Sequence, residues 1–566
     1  MRLFTDEVAE GYRRDGWWSG RTWSDRLDEH SSERPDVLAL VDAPNRLSFT
    51  TGVPRSLTWA DVGAEVDRLA RVLFAHGVSA GTVVGVQLPN IVELPMIYLA
   101  VARLGGIVTP FPVQYRSHEL KRMGTAAGMQ VFVTAAQAVS RPLAAESAAL
   151  DVPTLAHVLA FGEEAGEGYE LIDSHLAAQQ PDPLFDEYVS SLSRHPNDCI
   201  TLVWTSGTEG VPKGVPRAYG DWDVLGESCI QSPKLCSNDI LLNPFPMVNG
   251  GGLAGMFVPW MILGATLIQH HPFALDVFID QIEAHGVTYT CAPPMVLDAL
   301  VADDSVVAGR DISTLRAVSS GSAPLSGWMI HRWEANRGVE VLNLFGSNEG
   351  GVLYADPDTV PDPAERGRFF PRYGVPGMPY RTAVAAAMQA RLVDLEDGTE
   401  ITETGRAGEL RLKGPTIFSG YWHAGRSGFD EQGWFCTGDV FEISTHNPDY
   451  LTHVDRAKDL IIRGGYKISA AEIEGMLIAE PEIVEVAAVA MPDERLGERM
   501  CLFVVPADPS TPPTLESLIS RLIDQDVAKF KLPERLEIVS TLPRNAIGKI
   551  LKRELRERLT SAATPA

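Results

Sequence analysis

A glycine-rich segment directly after an apolar run most constrains what this chain folds into. Residues 199–204 are apolar enough for a buried strand, and residues 205–214 read Thr-Ser-Gly-Thr-Glu-Gly-Val-Pro-Lys-Gly. Small residues leave backbone N–H groups free to face an oligophosphate, and Lys213 adds a positive charge. An ordinary surface turn has a similar composition. Because Pro212 stands where a Walker loop needs glycine, the segment predicts phosphate binding by a different fold.

The composition of the whole chain excludes several classes of function. Its 566 residues predict two or more domains, and its net charge of −26 argues against a nucleic-acid or polybasic membrane role. No apolar run approaches the length of a membrane span, and the first residues lack the pattern of a signal peptide. The six cysteines form no C-x-x-C pair, so we expect reduced thiols and a cytoplasmic protein.

Helical and strand patterns alternate along much of the chain. Thr58 and Asp61 form a variant of the capping box before an apolar helical stripe, and a strand over 83–88 and a helix over 92–103 follow. This alternation predicts α/β layers with mostly parallel sheets. Residues 139–196 are less regular and richer in Ala, Glu and Asp, so we expect a connecting excursion on the surface.

The segment 243–255 contains a run of glycines that resembles a dinucleotide fingerprint. It fits G-x-G-x-x-G, but Pro244 and Pro246 spoil the strand that should precede such a motif. We therefore expect this segment to line an apolar cavity. The candidate pocket residues here are Met247, Asn249, Gly250 and Gly251.

Two acidic residues lie in turns where they could serve a nucleotide. Glu349 is flanked by glycine in the loop 342–350, where a carboxylate could hold Mg²⁺ against phosphates. A solvated glutamate would look the same in this segment alone. Asp439 ends the segment 433–439 and is a candidate acceptor for ribose hydroxyls.

A second domain is predicted to begin after residue 457. Ser469 and Glu472 form a capping box, and the strands and helices that follow complete a small α+β unit. Lys549 lies on a glycine turn near its end, where a lysine matters only if a moving domain carries it to the phosphate loop. The fold class is therefore α/β, with a large N-terminal domain (1–457) of layered α/β subdomains and a small mobile α+β C-terminal domain (458–566).

Taken in this order, the segments resemble the adenylate-forming superfamily of acyl-CoA synthetases, peptide-synthetase adenylation domains and firefly luciferase. The resemblance covers about residues 23–555 and is closest to acyl-CoA ligases. It implies an enzyme that uses ATP, Mg²⁺ and coenzyme A to convert a carboxylic acid, through an acyl-adenylate and with release of AMP, to its CoA thioester. The glycine run and Met247 suggest a roomy pocket for an apolar acid, bulky cyclic and terpenoid acids included.

The resemblance also implies roles for individual residues. Glu349 binds Mg²⁺, Lys213 and Lys549 are catalytic, and Lys458 is the hinge. The residues that contact nucleotide or coenzyme A are Thr205, Ser206, Gly207, Thr208, Glu209 and Gly210 for the phosphates, Gly321, Ser322, Ala323, Pro324 and Phe345 for adenine, Asn348 beside Glu349, Asp439 and Arg456 for ribose, and Gly464 and Gly465 for the pantetheine tunnel. Gly321 also borders the acid pocket.

Three residues depart from the pattern of the superfamily. Glu209 replaces the usual Ser or Thr of the phosphate loop, Asn348 replaces a Thr, and Met247 stands where His or an aromatic residue is common. A carboxylate about 5 Å from a phosphate oxygen costs about 3 kcal/mol at an effective dielectric constant near 20. Glu209 either points into water or impairs adenylation, in which case the enzyme mainly thioesterifies a preformed acyl-adenylate.

Two other functions stay open. One is a free-standing adenylation enzyme that loads a carrier protein, and the other is a non-catalytic homologue that binds acyl groups or nucleotides. The partners we expect are a small carboxylic acid and coenzyme A, without nucleic acid or a membrane span, and a homodimer is an open alternative for the assembly.

Overall fold

The computed structural model describes residues 1–205, 212–302, 304–321, 325–463, 466–493, 495–525, 527–544 and 550–561. Contacts within the chain define two units. The first comprises Met1–Ala390 and Leu412–Phe435, and the second comprises Arg391–Arg411 and Cys436–Ala566. The predicted division into a large N-terminal and a small C-terminal part of mixed α/β structure is confirmed, whereas the boundary at residues 457 and 458 stays a prediction.

The strands of the described residues are, in chain order, β1 (Leu38–Val41), β2 (Ser56–Thr58), β3 (Val83–Gln87), β4 (Ile107–Pro110), β5 (Val131–Ala135), β6 (His157–Phe161), β7 (Glu170–Leu171), β8 (Cys199–Thr205), β9 (Lys213–Ala218), β10 (Ile240–Asn243), β11 (Thr266–Gln269), β12 (Tyr289–Cys291), β13 (Ala317–Gly321), β14 (Glu340–Phe345), β15 (Leu353–Ala355), β16 (Phe369–Pro371), β17 (Gln389–Val393), β18 (Glu400–Ile401), β19 (Ala407–Lys413), β20 (Phe435–Ile443), β21 (Tyr450–Arg456), β22 (Ile461–Arg463), β23 (Tyr466–Ile468), β24 (Ile483–Asp493), β25 (Gly497–Pro506) and β26 (Arg535–Ile538).

The helices of the same residues are α1 (Asp6–Arg14), α2 (Trp23–Glu33), α3 (Trp59–Ala75), α4 (Glu93–Arg103), α5 (Ser117–Ala127), α6 (Leu143–Ala148), α7 (Ile172–Ala178), α8 (Pro183–Ser191), α9 (Tyr219–Gln231), α10 (Gly250–Gly252), α11 (Val258–Leu263), α12 (Leu275–His285), α13 (Pro294–Ala302), α14 (Gly327–Arg337), α15 (Pro363–Arg366), α16 (Ala383–Ala387), α17 (Ala470–Leu477), α18 (Leu515–Asp524) and α19 (Lys552–Ser561). A π-helical turn, Leu253–Phe257, joins α10 to α11.

Two mostly parallel sheets build the first unit, as the alternating pattern predicts. One has the strand order β7-β6-β5-β3-β4-β8-β9, and the other has the order β15-β14-β13-β12-β10-β11-β1-β2. The pairs β8/β9, β14/β15 and β1/β2 are antiparallel. The central strand β3 is buried along its whole length, which explains its continuous apolar sequence.

Residues 139–196 do not form the surface excursion expected from their composition. The short run His157–Phe161 forms β6, which is largely buried and pairs in parallel with β5, and β7 extends the sheet by one more strand. Five residues are too few for a strand pattern to stand out from a helical one in sequence. β6 forms because it pairs with β5, which lies more than 20 residues earlier in the chain.

The second unit contains two arrays of strands, in which the pair β25/β26 is parallel and the pairs β20/β21 and β24/β25 are antiparallel. In one array β21, β20, β19, β17 and β18 are neighbours in that order, and in the other the order is β23-β22-β25-β24 with β26 added beside β25. The strands and helix predicted after the capping box of the C-terminal unit are present as β24, β25, α18 and β26. Among the described residues, none of the helices combines the length and the apolar character that crossing a bilayer requires.

Candidate active site

The glycine-rich segment connects the two strands of a β-hairpin. β8 and β9 are antiparallel, with Thr205 opposite Lys213 at the base of the connection. The hairpin therefore brings both ends of the predicted phosphate cradle together without the helix of a Walker loop. Residues 206–211 lie outside the described residues, and the predictions for Ser206, Gly207, Thr208, Glu209 and Gly210 lie there with them.

Glu349 is a buried carboxylate held by a tyrosine that the sequence analysis missed. The Tyr421 hydroxyl donates to Glu349 Oε1 at 2.9 Å, and Lys213 Nζ lies 4.9 Å from the centre of the Tyr421 ring. Burial and the neighbouring Glu349 charge raise the pKa of Tyr421, so the phenol stays a donor. One aromatic ring thus joins the lysine of the hairpin to the predicted metal ligand.

The donor set at Glu349 fits a hard cation. Hard divalent ions prefer carboxylate oxygens, and a buried carboxylate held on one side presents its second oxygen in a defined direction. In the described part of the chain the side-chain hydrogen bond to Glu349 reaches Oε1 alone. Glu349 is therefore the residue of this loop that would hold Mg²⁺, whose chemistry is to neutralise phosphate charge.

Asn348 connects three separate segments around this carboxylate. Its Oδ1 accepts from the backbone N–H of Gly250 at 2.8 Å, and its Nδ2 donates to the carbonyl of Trp204 at 3.1 Å. The first contact reaches the glycine run and the second reaches the end of β8. Asn348, one of the three departures from the superfamily pattern, thus links the glycine run to the end of β8, because an amide supplies a donor and an acceptor at once.

Arg217, which the sequence analysis also missed, holds the loop of Asn348 and Glu349 through hydrogen bonds. Its fully buried guanidinium donates to the Asn348 carbonyl at 3.1 and 2.7 Å and to the Thr416 carbonyl at 3.0 Å. Burial lowers the pKa of Arg217, and the carboxylates of Asp221 and Glu349 oppose that shift. The sequence signal for Arg217 was a second positive charge in β9, four residues after Lys213, and for Tyr421 it was an aromatic residue after Gly420.

The end of β13 requires glycine. Gly321 pairs with Leu344 of β14, and a Cβ added at Gly321 would lie 2.1 Å from the Leu344 carbonyl oxygen. Phe345 ends β14, half-buried, with its ring 6.2 Å from that of Phe370. The adjoining predictions for Ser322, Ala323 and Pro324 fall outside the described residues.

The predicted pocket segment forms the short helix α10, and Met247 just before it is buried. The Asn249 side chain accepts from the backbone N–H groups of Gly251 and Gly252 at 3.1 and 3.4 Å and so caps α10. Met247 is fully buried, and its carbonyl accepts from the Tyr98 hydroxyl at 2.6 Å. Gly250 carries the hydrogen bond to Asn348, which brings the predicted pocket segment to the loop of Glu349.

In the second unit, Asp439 and Arg456 form a cross-strand ion pair. They face each other on β20 and β21, with Arg456 Nε 2.7 Å from Asp439 Oδ1 and with His453 Nε2 3.8 Å from the same oxygen. Lys458 follows β21 and is exposed. Gly464, Gly465 and Lys549 lie outside the described residues, so their predicted roles stay predictions.

The layered α/β fold, the hairpin loop and the buried glutamate together define the class of adenylate-forming enzymes. The chain belongs to the AMP-binding enzyme family: the family model matches residues 27–422, and the model of the AMP-binding enzyme C-terminal domain matches residues 472–549. More specifically, it is an adenylate-forming ligase whose relatives include both CoA ligases and an aryl-acid–AMP ligase. Enzymes of this family use ATP, Mg²⁺ and coenzyme A with small-molecule acids.

Individual relatives cover almost the whole chain. It is 31% identical to a salicylyl-CoA synthase / salicylate adenylyltransferase from a Streptomyces species, over 97% of this chain and 96% of the relative. It is 27% identical to the medium-chain fatty-acid–CoA ligase of Escherichia coli, over 98% and 94%. The solved structure of ATP-bound MatB from Rhodopseudomonas palustris superposes with a TM-score of 0.76 at 25% identity, covering 96% of this chain and all of that one.

Proposed function

We propose that this protein is an acyl-CoA synthetase that converts an apolar carboxylic acid to its CoA thioester. A carboxylate oxygen of the acid bonds to the α-phosphorus of ATP as the bond to pyrophosphate breaks. The sulfur of coenzyme A then bonds to the carbonyl carbon, AMP leaves, and the thiol proton passes to solvent. The first step makes a good leaving group, which a free carboxylate lacks. A cytoplasmic location is part of this proposal.

One contact carries the proposal. The hydrogen bond from the Gly250 N–H to Asn348 Oδ1, at 2.8 Å, joins the glycine run to the loop that bears Glu349. An acid that lies along the glycine run would present its carboxylate near the buried Glu349 and the ring of Tyr421. Proximity of this kind is what the attack on a phosphate requires, because both reactants are anions.

The residues that the resemblance assigns complete the proposed machinery. Lys213 and the segment 205–210 bind the phosphates, with Gly321, Ser322, Ala323, Pro324 and Phe345 beside the adenine. Asp439 and Arg456 hold the ribose, with their mutual ion pair keeping both side chains in place. Lys549 offsets the charge of carboxylate and phosphate in the first step. Rotation about Lys458 then exchanges Lys549 for Gly464 and Gly465, which border the entering thiol.

The proposed acid is apolar, and the pocket accepts bulky cyclic acids, terpenoid acids among them. Met247 and Leu253 are fully buried beside the glycine run, and a Cβ added at Gly251 would meet the Phe245 ring at 3.9 Å. Apolar side chains around residues without side chains favour an apolar ligand over a charged one. The names of the relatives include an aromatic acid and medium-chain fatty acids, which share this apolar character.

The deciding experiment offers the enzyme a panel of acids with ATP and coenzyme A. The panel contains aliphatic, aromatic and bulky cyclic acids of similar length, and products are identified by mass spectrometry. We expect AMP and an acyl-CoA from at least one apolar class, and no product from a dicarboxylic acid of the same length. Turnover of polar acids alone would contradict the proposed pocket.

A second candidate function, a free-standing adenylation enzyme, is supported by a relative from Mycobacterium tuberculosis that is named salicyl-AMP ligase / salicyl-S-ArCP synthetase. In that case the acceptor is the phosphopantetheine of a carrier protein. The same acid with ATP is offered either coenzyme A or a phosphopantetheinylated carrier protein. Thioester formation on coenzyme A at a higher kcat/KM supports the first proposal, and formation on the carrier alone supports the second.

Glu209 decides whether the enzyme makes its own acyl-adenylate efficiently. If its carboxylate faces the phosphates, exchange of pyrophosphate into ATP is slow and Glu209→Thr raises it about a hundredfold. If its carboxylate faces water, exchange is fast and the substitution leaves it unchanged. Synthetic acyl-adenylate supplied with coenzyme A separates this defect from a defect in thioester formation.

A further inference from the structure

Three histidines and a glutamate converge at the edge of the first sheet, and all but His76 lie within residues 139–196, where the sequence predicts a surface excursion. His76 follows α3, His157 begins β6, Glu170 begins β7, and His175 lies in α7. One ligand atom from each of His76, Glu170 and His175 lies within 4.8 Å of the others. We propose that these residues form a metal-binding site and that the ion it binds is Zn²⁺.

The distances from Glu170 to the two histidines match those of a tetrahedral site. Glu170 Oε2 lies 3.4 Å from His76 Nε2 and 3.1 Å from His175 Nε2. Zinc bonds to imidazole and carboxylate are about 2.0 to 2.1 Å long, which places neighbouring tetrahedral ligands about 3.3 to 3.4 Å apart. An ion therefore fits between these atoms with small shifts of the side chains.

The tautomer of His76 supports the same assignment. Its Nδ1 lies 2.7 Å from the carbonyl oxygen of Val72, which can only accept, so Nδ1 carries a proton. In the neutral ring Nε2 then presents a lone pair to Glu170 Oε2. Two acceptors that face each other repel unless a proton or a metal ion lies between them, and this position is open to either. A backbone carbonyl behind the far nitrogen is also the usual support of a metal-bound histidine.

The site has a buried side and an open side. The His76 side chain is 8% exposed, whereas those of Glu170 and His175 are 49% and 37% exposed, so an ion can enter from solvent. His157 lies beside this group without belonging to it: its Nδ1 lies 3.8 Å from the other oxygen, Glu170 Oε1, and its ring centre lies 5.2 Å from that of His76. A bound ion would tie α3 and α7 to strands β6 and β7.

Calorimetric titration of the full, tag-free, chelator-treated protein with Zn²⁺ in excess Mg²⁺ tests the site. Mg²⁺ prefers oxygen ligands, so it occupies phosphate-type sites without competing at imidazoles. We expect one saturable equivalent of Zn²⁺ and a higher melting temperature. Binding of Co²⁺ at the same site should give the visible absorption of a four-coordinate ion.

Substitutions at the exposed ligands identify the site without disturbing the core. His175→Ala and Glu170→Gln should each weaken Zn²⁺ binding by about 100-fold or more, and His157→Ala should weaken it less. The matched controls are His118→Ala and Glu167→Gln, both exposed, and Cys236→Ser, which removes an exposed thiol. Absence of Zn²⁺ binding in the wild type, or binding unchanged in His175→Ala, would overturn the proposal.

Discussion

At the scale of single residues, the candidate site depends on charged side chains that are buried. Glu349 is only 7% exposed, yet it keeps a polar environment through the Tyr421 hydroxyl. Arg217 lies fully buried beside the same loop and donates to the Asn348 carbonyl of that loop and to the Thr416 carbonyl. A carboxylate in such a place interacts strongly with a cation, because little solvent screens it.

We expect Glu349→Gln to lower the rate of ATP–pyrophosphate exchange by about 100-fold or more, since the amide still accepts from Tyr421 but carries no charge for a cation. The free energy of unfolding should change little. The exposed Glu163→Gln serves as control. Exchange within a few-fold of wild type, at saturating Mg²⁺ and ATP, would remove Glu349 from the proposed machinery.

At the scale of elements, some features follow from residues close together in the chain, and others are required by a neighbouring strand. The capping box at α3 follows from four consecutive residues and is present: the Thr58 N–H donates to Asp61 Oδ2 at 2.9 Å, and the Asp61 N–H donates to Thr58 Oγ1 at 3.2 Å. The need for glycine at residue 321 comes from Leu344 of β14, which is more than 20 residues away in the chain.

Thr58→Ala should destabilise the protein by about 1 kcal/mol at neutral pH. Hydrogen bonds from Thr58 lower the pKa of Asp61. A lowered pKa in the folded state contributes stability above the unfolded value, and this contribution is lost as the pH falls through the folded value. The penalty of the substitution should therefore shrink at acid pH. Chemical denaturation at several pH values, with Ser56→Ala as control, measures it; a penalty that grows at acid pH would contradict the capping account.

Gly321→Ala should destabilise the protein by about 2 kcal/mol, because the new Cβ must displace the backbone of β14. The matched control is Gly255→Ala, in the π-helical turn, where an added Cβ meets nothing within 4 Å. That substitution should be neutral or mildly stabilising. Thermal unfolding compares the melting temperatures of the two variants. Equal melting temperatures would show that β14 accommodates the added Cβ without loss of stability.

At the scale of the whole molecule, the proposed function needs one small domain to serve two reactions. The first reaction needs a cation at the carboxylate and phosphate, and the second needs a narrow entrance for a thiol. Lys549 and Gly465 are assigned to these reactions by the resemblance to the superfamily. Separate assays of the two reactions can therefore test domain alternation directly.

Lys549→Ala should lower pyrophosphate exchange by about 100-fold or more and leave thioester formation from a synthetic acyl-adenylate nearly intact. Gly465→Leu should do the reverse, since a side chain there would narrow the path of the thiol. Each variant is the control for the other. If both variants lose the same reaction, one arrangement of the two domains serves both steps and alternation is wrong.

The sequence by itself determined the class of the protein, the alternating α/β elements and the capped helices, because these depend on residues close together in the chain. It also indicated Glu349, Asn348 and the hairpin lysine by their order among motifs. Only the tertiary structure brought Tyr421 to Glu349, which is 72 residues away, and gathered His76, Glu170 and His175 at one sheet edge. Such contacts depend on how elements pack, and no local pattern of residues encodes which distant side chains will meet.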